Sequence, residues 1–324
     1  MKKKLREQSS ISSKPKIVVA SISFSKSVIL RKELKQVFPN SIFNDKGCRF
    51  SEIELIEFLK NADAAIIGIE SINDHILSQT PELKIISKYG VGLDSIDQDS
   101  MRRRNISLGW TGGVNRRSVS ELTLCFMLGL CRNVFGSGFK LKRSEWEKYG
   151  GHQLSGKTVG IIGCGQIGSD VVKLLSPLHC NILVRDIDDK SDFCQKQLIS
   201  QVSLEDVIEK SDIVSLHVPL TKLTHKMVNK NFLKRMKKTA FLINTSRGEV
   251  VDQEALKNAL NQSVIAGAAL DVFYREPPSD LNFLALPNLM VTPHIGGNAI
   301  EAVETMGRSA IDHLVSFFFK NSLT

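Results

Sequence analysis

Residues 158–169 read Thr-Val-Gly-Ile-Ile-Gly-Cys-Gly-Gln-Ile-Gly-Ser. The apolar run Val159–Ile162 predicts a buried strand, and the pattern of Asp170–Leu175 predicts a helix. Between them stands G-x-G-x-x-G, formed by Gly163, Gly165 and Gly168. Gly163 permits the tight turn, Gly165 lets a pyrophosphate approach the backbone, and Gly168 lets helix and strand pack closely. The helix N-terminus presents free N–H groups and a partial positive charge to phosphates. The next apolar run, Ile182–Arg185, is followed by Asp186, 18 positions after Gly168. A carboxylate there accepts hydrogen bonds from ribose hydroxyls, and with Asp188 and Asp189 beside it a 2′-phosphate is repelled. NAD is therefore expected rather than NADP.

Outward from this motif, short apolar runs alternate with helical patterns. Upstream, the predicted strands are Ile17–Ala20, Ala64–Ile69, Lys84–Lys88 and Ile106–Gly109, with an amphipathic stretch at Ser51–Lys60. Downstream they are Ile213–Val218, Phe241–Asn244, Gly267–Val272 and Met290–Thr292. Strands alternating with helices predict parallel sheets made of βαβ units. A long apolar helix is predicted over Ser118–Val134, suited to core packing or a subunit interface.

The 324 residues suggest about two domains, and 42% hydrophobic with 24% charged residues excludes a collagen-like, disordered or disulfide-scaffold chain. No apolar run approaches the roughly 20 residues that span a bilayer. Of the formal charge of +9, residues 1–16 hold a net +5, with Lys2, Lys3, Lys4, Arg6, Lys14 and Lys16 against Glu7. So local an excess predicts a solvated tail rather than a nucleic-acid or membrane arm. The tail lacks the apolar segment of a secretory signal. Cys48, Cys125, Cys131, Cys164, Cys180 and Cys194 show no metal-ligand spacing, so free thiols, a cytoplasmic location and no metal are expected. Cys164, inside the glycine loop, is a candidate for oxidation. No nucleophile elbow, HExxH or Walker A loop occurs.

Three further segments carry chemistry, each after a predicted strand, where open α/β sheets bind ligands. They are Thr245-Ser246-Arg247-Gly248, Tyr274-Arg275-Glu276-Pro277-Pro278 and Pro293-His294-Ile295-Gly296-Gly297. Beside the nicotinamide, a hydride-transferring site needs a proton donor or acceptor near neutral pH, a cation for a substrate carboxylate and a group that tunes the donor, and these segments offer an imidazole, a guanidinium and an acid. His75, His152, His179, His225 and His313 lack such company.

These segments, with Lys88-Tyr89-Gly90-Val91-Gly92-Leu93-Asp94, Ser118-Val119-Ser120-Glu121, His217-Val218-Pro219-Leu220-Thr221, Asp271-Val272-Phe273 and the glycine loop, carry a resemblance. From about Leu83 to Gly307 the chain resembles the D-isomer-specific 2-hydroxyacid dehydrogenases, which include 3-phosphoglycerate, glyoxylate/hydroxypyruvate and D-lactate dehydrogenases. The resemblance implies that Arg247 clamps the substrate carboxylate and polarises the C2 oxygen, a task suited to a planar guanidinium. It implies that His294 exchanges the proton and that Glu276 holds the other imidazole nitrogen and favours the protonated ring. By the same resemblance Asp271 bonds the nicotinamide carboxamide, and the Val91 and Gly92 N–H groups hold the carboxylate. His217, Val218 and Pro219 line the adenine side, with Gln166, Ile167, Thr245 and Ser246 among the cofactor contacts.

The implied fold class is α/β, two Rossmann-like or flavodoxin-like doubly wound parallel-sheet domains with an interdomain cleft. Residues 115–296 are expected to bind NAD. Residues 1–114, completed by 297–324, are expected to form the substrate domain, without a regulatory domain after Thr324. A homodimer through the cofactor domain is implied, with no nucleic-acid or membrane partner. The substrate is a small 2-hydroxy or 2-oxo acid. Phosphoglycerate-type members carry a basic, hydroxyl-rich loop where this chain has Gly68-Ile69-Glu70-Ser71. Glu70 repels a phosphate unless a cation such as Arg116, Arg117 or Arg132 offsets it. Phosphoglycerate dehydrogenase remains an alternative, as does a non-enzymatic NAD(H)-sensing protein on the same scaffold.

Overall fold

Two parallel sheets organise residues 15–320, the part of the chain described by a computed structural model. Of the basic residues in the N-terminal tail, only Lys16 lies within the described residues; its backbone N–H donates to Asp63. The described residues form two units: one ends at Asn115 and resumes at Ile300, and the other runs from Arg116 to Ala299.

In the first unit the strands are β1 (Ile17–Val19), β2 (Ile42–Phe43), β3 (Ala64–Ile67), β4 (Ile85–Lys88) and β5 (Ser107–Gly109). They lie in the order β2-β1-β3-β4-β5, all parallel. β1, β3 and β4 are buried throughout, as expected of a parallel sheet covered on both faces. Alternation within each strand builds two cores. Ile17 and Val19 join Leu30, Leu34 and Ile66 on one face, where Met306, Ala310 and Leu314 of the helix Ile300–Val315 also pack. Val18 joins Leu55, Leu59, Ala65, Ile67 and Ile86 on the other. The helix Glu52–Leu59 opens with a capping box between Ser51 and Glu54, which satisfies amides at its first turn.

The second unit holds β6 (Thr158–Ile162), β7 (Asn181–Arg185), β8 (Ser200–Gln201), β9 (Ile213–Leu216), β10 (Phe241–Asn244), β11 (Gly267–Leu270) and β12 (Leu289–Val291). Their order is β12-β11-β10-β9-β6-β7-β8, again parallel. Strand order reverses at β6, which lies between β7 and β9. In doubly wound sheets that is where a crevice opens beyond the carboxyl ends of the strands. The α/β fold class with two doubly wound parallel sheets is thus present.

Several boundaries differ from the sequence reading. The strands after which the site residues come end earlier: Gly68–Ile69, His217–Val218 and Asp271–Val272 lie in loops, not strands. β2 and β8 were not foreseen; each is a two-residue edge strand, too short to leave a periodic signal. The glycine-loop helix starts at Gln166, ahead of the apolar pattern. The expected long helix ends at Cys131 and a second runs Val134–Lys142, bent by 64° across a break where Asn133 takes φ 50°. Among the described residues no single helix is long and apolar enough to cross a membrane; this bent pair passes only jointly, by length and composition.

Candidate active site

The glycine loop sits where β6 ends. Gly163 takes φ +92°, a conformation closed to most residues with a Cβ, and its N–H donates to Arg185 O at 2.8 Å. A Cβ on Gly168 would overlap the Gly163 carbonyl, and one on Gly163 would strike the His217 carbonyl. At Gly165 a Cβ would meet nothing within 4 Å, so this glycine faces open space. Gly165 is also the N-cap of the helix Gln166–Leu175 and offers no side chain to the first amides. The first turn of that helix, Gln166, Ile167 and Gly168, therefore keeps donors aimed outward. An open backbone cradle backed by a helix N-terminus fits a pyrophosphate.

Asp186 stands at the end of β7. One carboxylate oxygen accepts from Cys164 N at 2.6 Å and the other from Asp188 N at 3.0 Å. The neighbouring Arg185 guanidinium is turned onto the Asp186 carbonyl at 2.5 Å. Asp186 thus braces the glycine loop while keeping acceptor capacity on both oxygens. Across the switch point, His217 Nε2 pairs with Ser215 Oγ at 2.9 Å and burial pushes the imidazole pKa down to about 3. That ring is neutral and packs as an uncharged wall. Val218 is half-buried beside it and Pro219 is exposed. The oxidation expected of Cys164 is not supported. The thiol is buried, and burial, with Cys194 and Asp186 near, pushes it up to about 12, so it carries little thiolate.

Arg247 follows β10. The buried Asn244 sets its position: Oδ1 accepts from Ser246 N and Ser246 Oγ, and Nδ2 donates to Arg247 O at 2.8 Å. Arg247 Nη1 donates to Ser246 O at 2.7 Å. Thr245 Oγ1 meets Thr123 Oγ1 at 3.0 Å in the interior. At Gly248 a Cβ would overlap the backbone of Phe273 and Tyr274, so this turn rests directly on the segment that leads to Glu276.

Glu276 and His294 meet. His294 Nδ1 lies 2.7 Å from Glu276 Oε2, and Glu276 Oε1 accepts from Phe273 N at 3.2 Å. His294 takes a left-handed backbone, φ 56°, uncommon for histidine and held by its neighbours. The holder is Asp271, 1% exposed. Its Oδ1 accepts from Thr292 Oγ1 at 2.6 Å and Ile295 N at 2.7 Å, and its Oδ2 accepts from Gly296 N at 2.8 Å. The hydrogen bond to Glu276 raises the His294 pKa above the usual imidazole value. Burial opposes it, the charges of Glu276 and Asp271 assist, and Arg247 opposes. Burial pushes the Glu276 carboxyl up, but the His294 bond and charge, the Phe273 N–H and Arg247 together hold it below its ordinary value. Arg247 is thus close enough to act on both partners. An acid, an imidazole and a guanidinium are gathered on the loops after β10, β11 and β12.

In the first unit, Val91 and Gly92 lie half-buried in the loop after β4. Glu70 Oε2 accepts from Gly68 N at 2.6 Å, and the buried Lys88 ammonium donates to Gly68 O. Of the arginines considered as compensators, Arg117 pairs with Asp170 at 2.9 Å and Arg132 donates to Gly150 O at 2.8 Å, while Arg116 is exposed. Among the described residues no group of three or more His, Cys, Asp or Glu is placed to hold a metal ion. Asn244 and Thr292 were missed by the sequence reading. Both act through the residues they hold, and the signal was their place beside Arg247 and His294 at strand ends.

Residues 124–296 match the sequence model of the family described as D-isomer specific 2-hydroxyacid dehydrogenase, NAD binding domain. The chain is 36% identical to a glyoxylate reductase of Thermofilum pendens over 94% of this chain and 91% of that one. It is 35% identical to a D-3-phosphoglycerate dehydrogenase of Methanocaldococcus jannaschii over 78% of this chain but 49% of that one. The D-lactate dehydrogenase of Aquifex aeolicus, solved with NAD and lactic acid, superposes with a TM-score of 0.82 at 26% identity, covering 95% of this chain and 96% of that one.

The substitution Asp271→Asn tests how the His294 loop is held. The amide keeps the shape but turns one acceptor oxygen into a donor facing the Ile295 or Gly296 N–H. A buried donor left unsatisfied costs about 1–3 kcal/mol. Faster hydrogen exchange at the Ile295 and Gly296 amides, with lowered stability to urea, is the expected result. Unchanged exchange at both would show that the loop is held by something else.

Proposed function

This chain belongs to the D-isomer-specific 2-hydroxyacid dehydrogenase family, and on that premise we propose that this NAD-dependent oxidoreductase interconverts a small, unphosphorylated 2-oxo acid and its D-2-hydroxy acid. The observation that carries the reading is the 2.7 Å pairing of His294 with Glu276 under the influence of Arg247. The second unit is the cofactor unit and the first the substrate unit. Gly163, Gly165, Gln166, Ile167 and Gly168 would hold the pyrophosphate and Asp186 the adenosine ribose. His217, Val218 and Pro219 would flank the adenine side, with Thr245, Ser246 and Asp271 toward the nicotinamide. When bound, the nicotinamide supplies or accepts the hydride at C2.

The chain's own residues do the remaining work. Arg247 forks onto the substrate carboxylate and draws charge toward the C2 oxygen. The Val91 and Gly92 N–H groups add donors for that carboxylate. Because Nδ1–H is directed at Glu276, Nε2 is the atom left to exchange a proton. In reduction the carbonyl π electrons move onto oxygen as the carbon gains hydride. The proton on Nε2 then passes to that oxygen, leaving His294 neutral. In oxidation neutral Nε2 takes the hydroxyl proton. Glu276, held ionised, stabilises the imidazolium. The name of the Thermofilum pendens relative supports glyoxylate as the first acid to try. A homodimer is supported by the exposed apolar residues Leu128, Val134, Phe135, Phe139 and Leu141 on the bent helix pair.

The direct test follows NADH oxidation across glyoxylate, hydroxypyruvate, pyruvate and phosphohydroxypyruvate. Turnover with an unphosphorylated acid, lost in His294→Ala with NADH binding retained, is expected. No turnover with any acid alongside tight NADH binding would favour a nucleotide sensor, and preference for the phosphorylated acid would reverse the reading of Glu70.

The pH dependence has a defined sign. Reduction requires protonated His294, so kcat/KM for reduction falls as pH rises through the His294 pKa. In Glu276→Gln that pKa drops, and the fall moves to lower pH; oxidation, which needs the neutral ring, switches on at lower pH. A limb that does not move would remove Glu276 as the group that tunes His294.

For cofactor choice, Asp186→Ala is expected to lower the NAD/NADP ratio of kcat/KM by about tenfold or more, the size of losing a hydrogen bond to a charged acceptor. An unchanged ratio would take Asp186 out of the cofactor site.

A further inference from the structure

Trp110 is an unusual residue to find on a loop. It directly follows β5, and 41% of it remains exposed, so its hydrophobic surface is only partly used. Its polar end is fully committed: the indole Nε1–H donates to Val91 O at 2.9 Å. The residues on either side tie it down. A Cβ on Gly109 would come within 2.6 Å of His313 Cβ, so the chain just before Trp110 lies against the helix Ile300–Val315. Just after it, Thr111 Oγ1 meets His313 Nε2 at 3.0 Å. The six-membered ring of the indole folds over Gly112, where a Cβ would lie 3.1 Å away. The ring therefore has little freedom to leave the Val91 carbonyl.

The consequence follows from peptide geometry. The Val91 carbonyl and the Gly92 N–H belong to one planar trans amide and point in opposite directions. A donor fixed on the carbonyl therefore fixes the direction of the Gly92 N–H, which is aimed away from Trp110. Neither the Val91 nor the Gly92 N–H donates a hydrogen bond among the described residues. Gly90, with φ +119°, turns the loop just before them. The bond to the carbonyl also polarises the amide and makes its N–H a stronger donor.

We propose that Trp110 is a positioning residue that, by pinning the Val91 carbonyl, aims the Gly92 N–H at the carboxylate of the substrate. This inference rests on the reading of the Val91–Gly92 amides as carboxylate donors given above. Acting through the Gly92 N–H, Trp110 acts on binding rather than on the chemical step. A carboxylate is recognised by the aimed amide whether it belongs to a 2-oxo acid or to an unreactive analogue such as oxamate.

The test is Trp110→Phe, which keeps an aromatic ring at the position but removes the N–H together with part of the indole that lies over Gly112. Expected is a rise of about five- to tenfold in KM for the 2-oxo acid and in the inhibition constant of oxamate, the scale of one lost hydrogen bond. kcat is expected to stay within about twofold, and NADH affinity to be unchanged. General damage to the unit would lower kcat and thermal stability together instead. A second measurement keeps Trp110 in place. The chain has two tryptophans, and in Trp146→Phe the emission comes from Trp110 alone. Saturating oxamate with NADH should shift that emission. Unchanged KM and oxamate inhibition in Trp110→Phe, or Trp110 emission blind to oxamate, overturn the inference while wild-type turnover leaves the broader reading intact. A wild-type protein that neither turns over a 2-oxo acid nor binds oxamate overturns both.

Discussion

One buried carboxylate holds the chemistry of the second unit in place. Asp271 leaves β11 and takes three hydrogen bonds from the segment after β12, two of them from the backbone N–H groups of Ile295 and Gly296. Those amides follow directly on His294 and Thr292 precedes it, which is why its left-handed backbone is tolerated. Burying a carboxylate is costly unless its lone pairs are filled, and here they nearly are. The same bonds that make the burial acceptable also dictate where the imidazole stands. The placement of the His294 loop is thus tied to satisfying one buried carboxyl group.

The three loops of the site depend on each other in sequence. Asn244 shapes the turn that carries Arg247. Gly248 lets that turn lie on the Phe273–Tyr274 backbone. Phe273 N–H then orients Glu276, and Glu276 orients His294. Backbone groups do most of the positioning, so the charged side chains arrive with few degrees of freedom left. Such preorganisation is what electrostatic stabilisation of a developing oxyanion requires. The electrostatics agree in sign: the pair shares a proton on the imidazole side, with the carboxyl kept ionised by its partners.

Much of this was legible before any coordinates. The spacing of Gly163, Gly165 and Gly168, with Asp186 beyond them, reads as a dinucleotide loop: Gly163 and Gly168 sit where a Cβ would strike backbone, and Gly165 leaves the space in front of the helix open. Strand existence was readable where strands are buried on both faces, as in β3 or β9. It was not readable for β2 and β8, where two residues leave no period. The ends of strands were overestimated because apolar residues such as Val218 and Val272 continue past the last ladder bond into the loops. The supporting residues Asn244 and Thr292 were missed for another reason. Thr292 acts through Asp271, 21 positions away, and Asn244 through a turn onto Ser246 and Arg247; their place at strand ends beside Arg247 and His294 was the only mark, and it does not say which contacts the side chains make.

Glu70 illustrates how a charge read from sequence changes meaning once its partners are known. As an isolated letter it is a carboxylate that repels anions. In the fold it closes on Gly68 N–H, while Lys88 takes Gly68 O, so both polar groups of that glycine are occupied by side chains. A phosphate docking at the end of β3 needs free N–H donors and a positive field. This loop has filled its own donor with its own anion, while the Lys88 ammonium donates to the carbonyl of the same glycine. Donor occupancy thus supports the reading of an acid without a phosphate, and of the arginines weighed as compensators Arg117 and Arg132 have partners of their own.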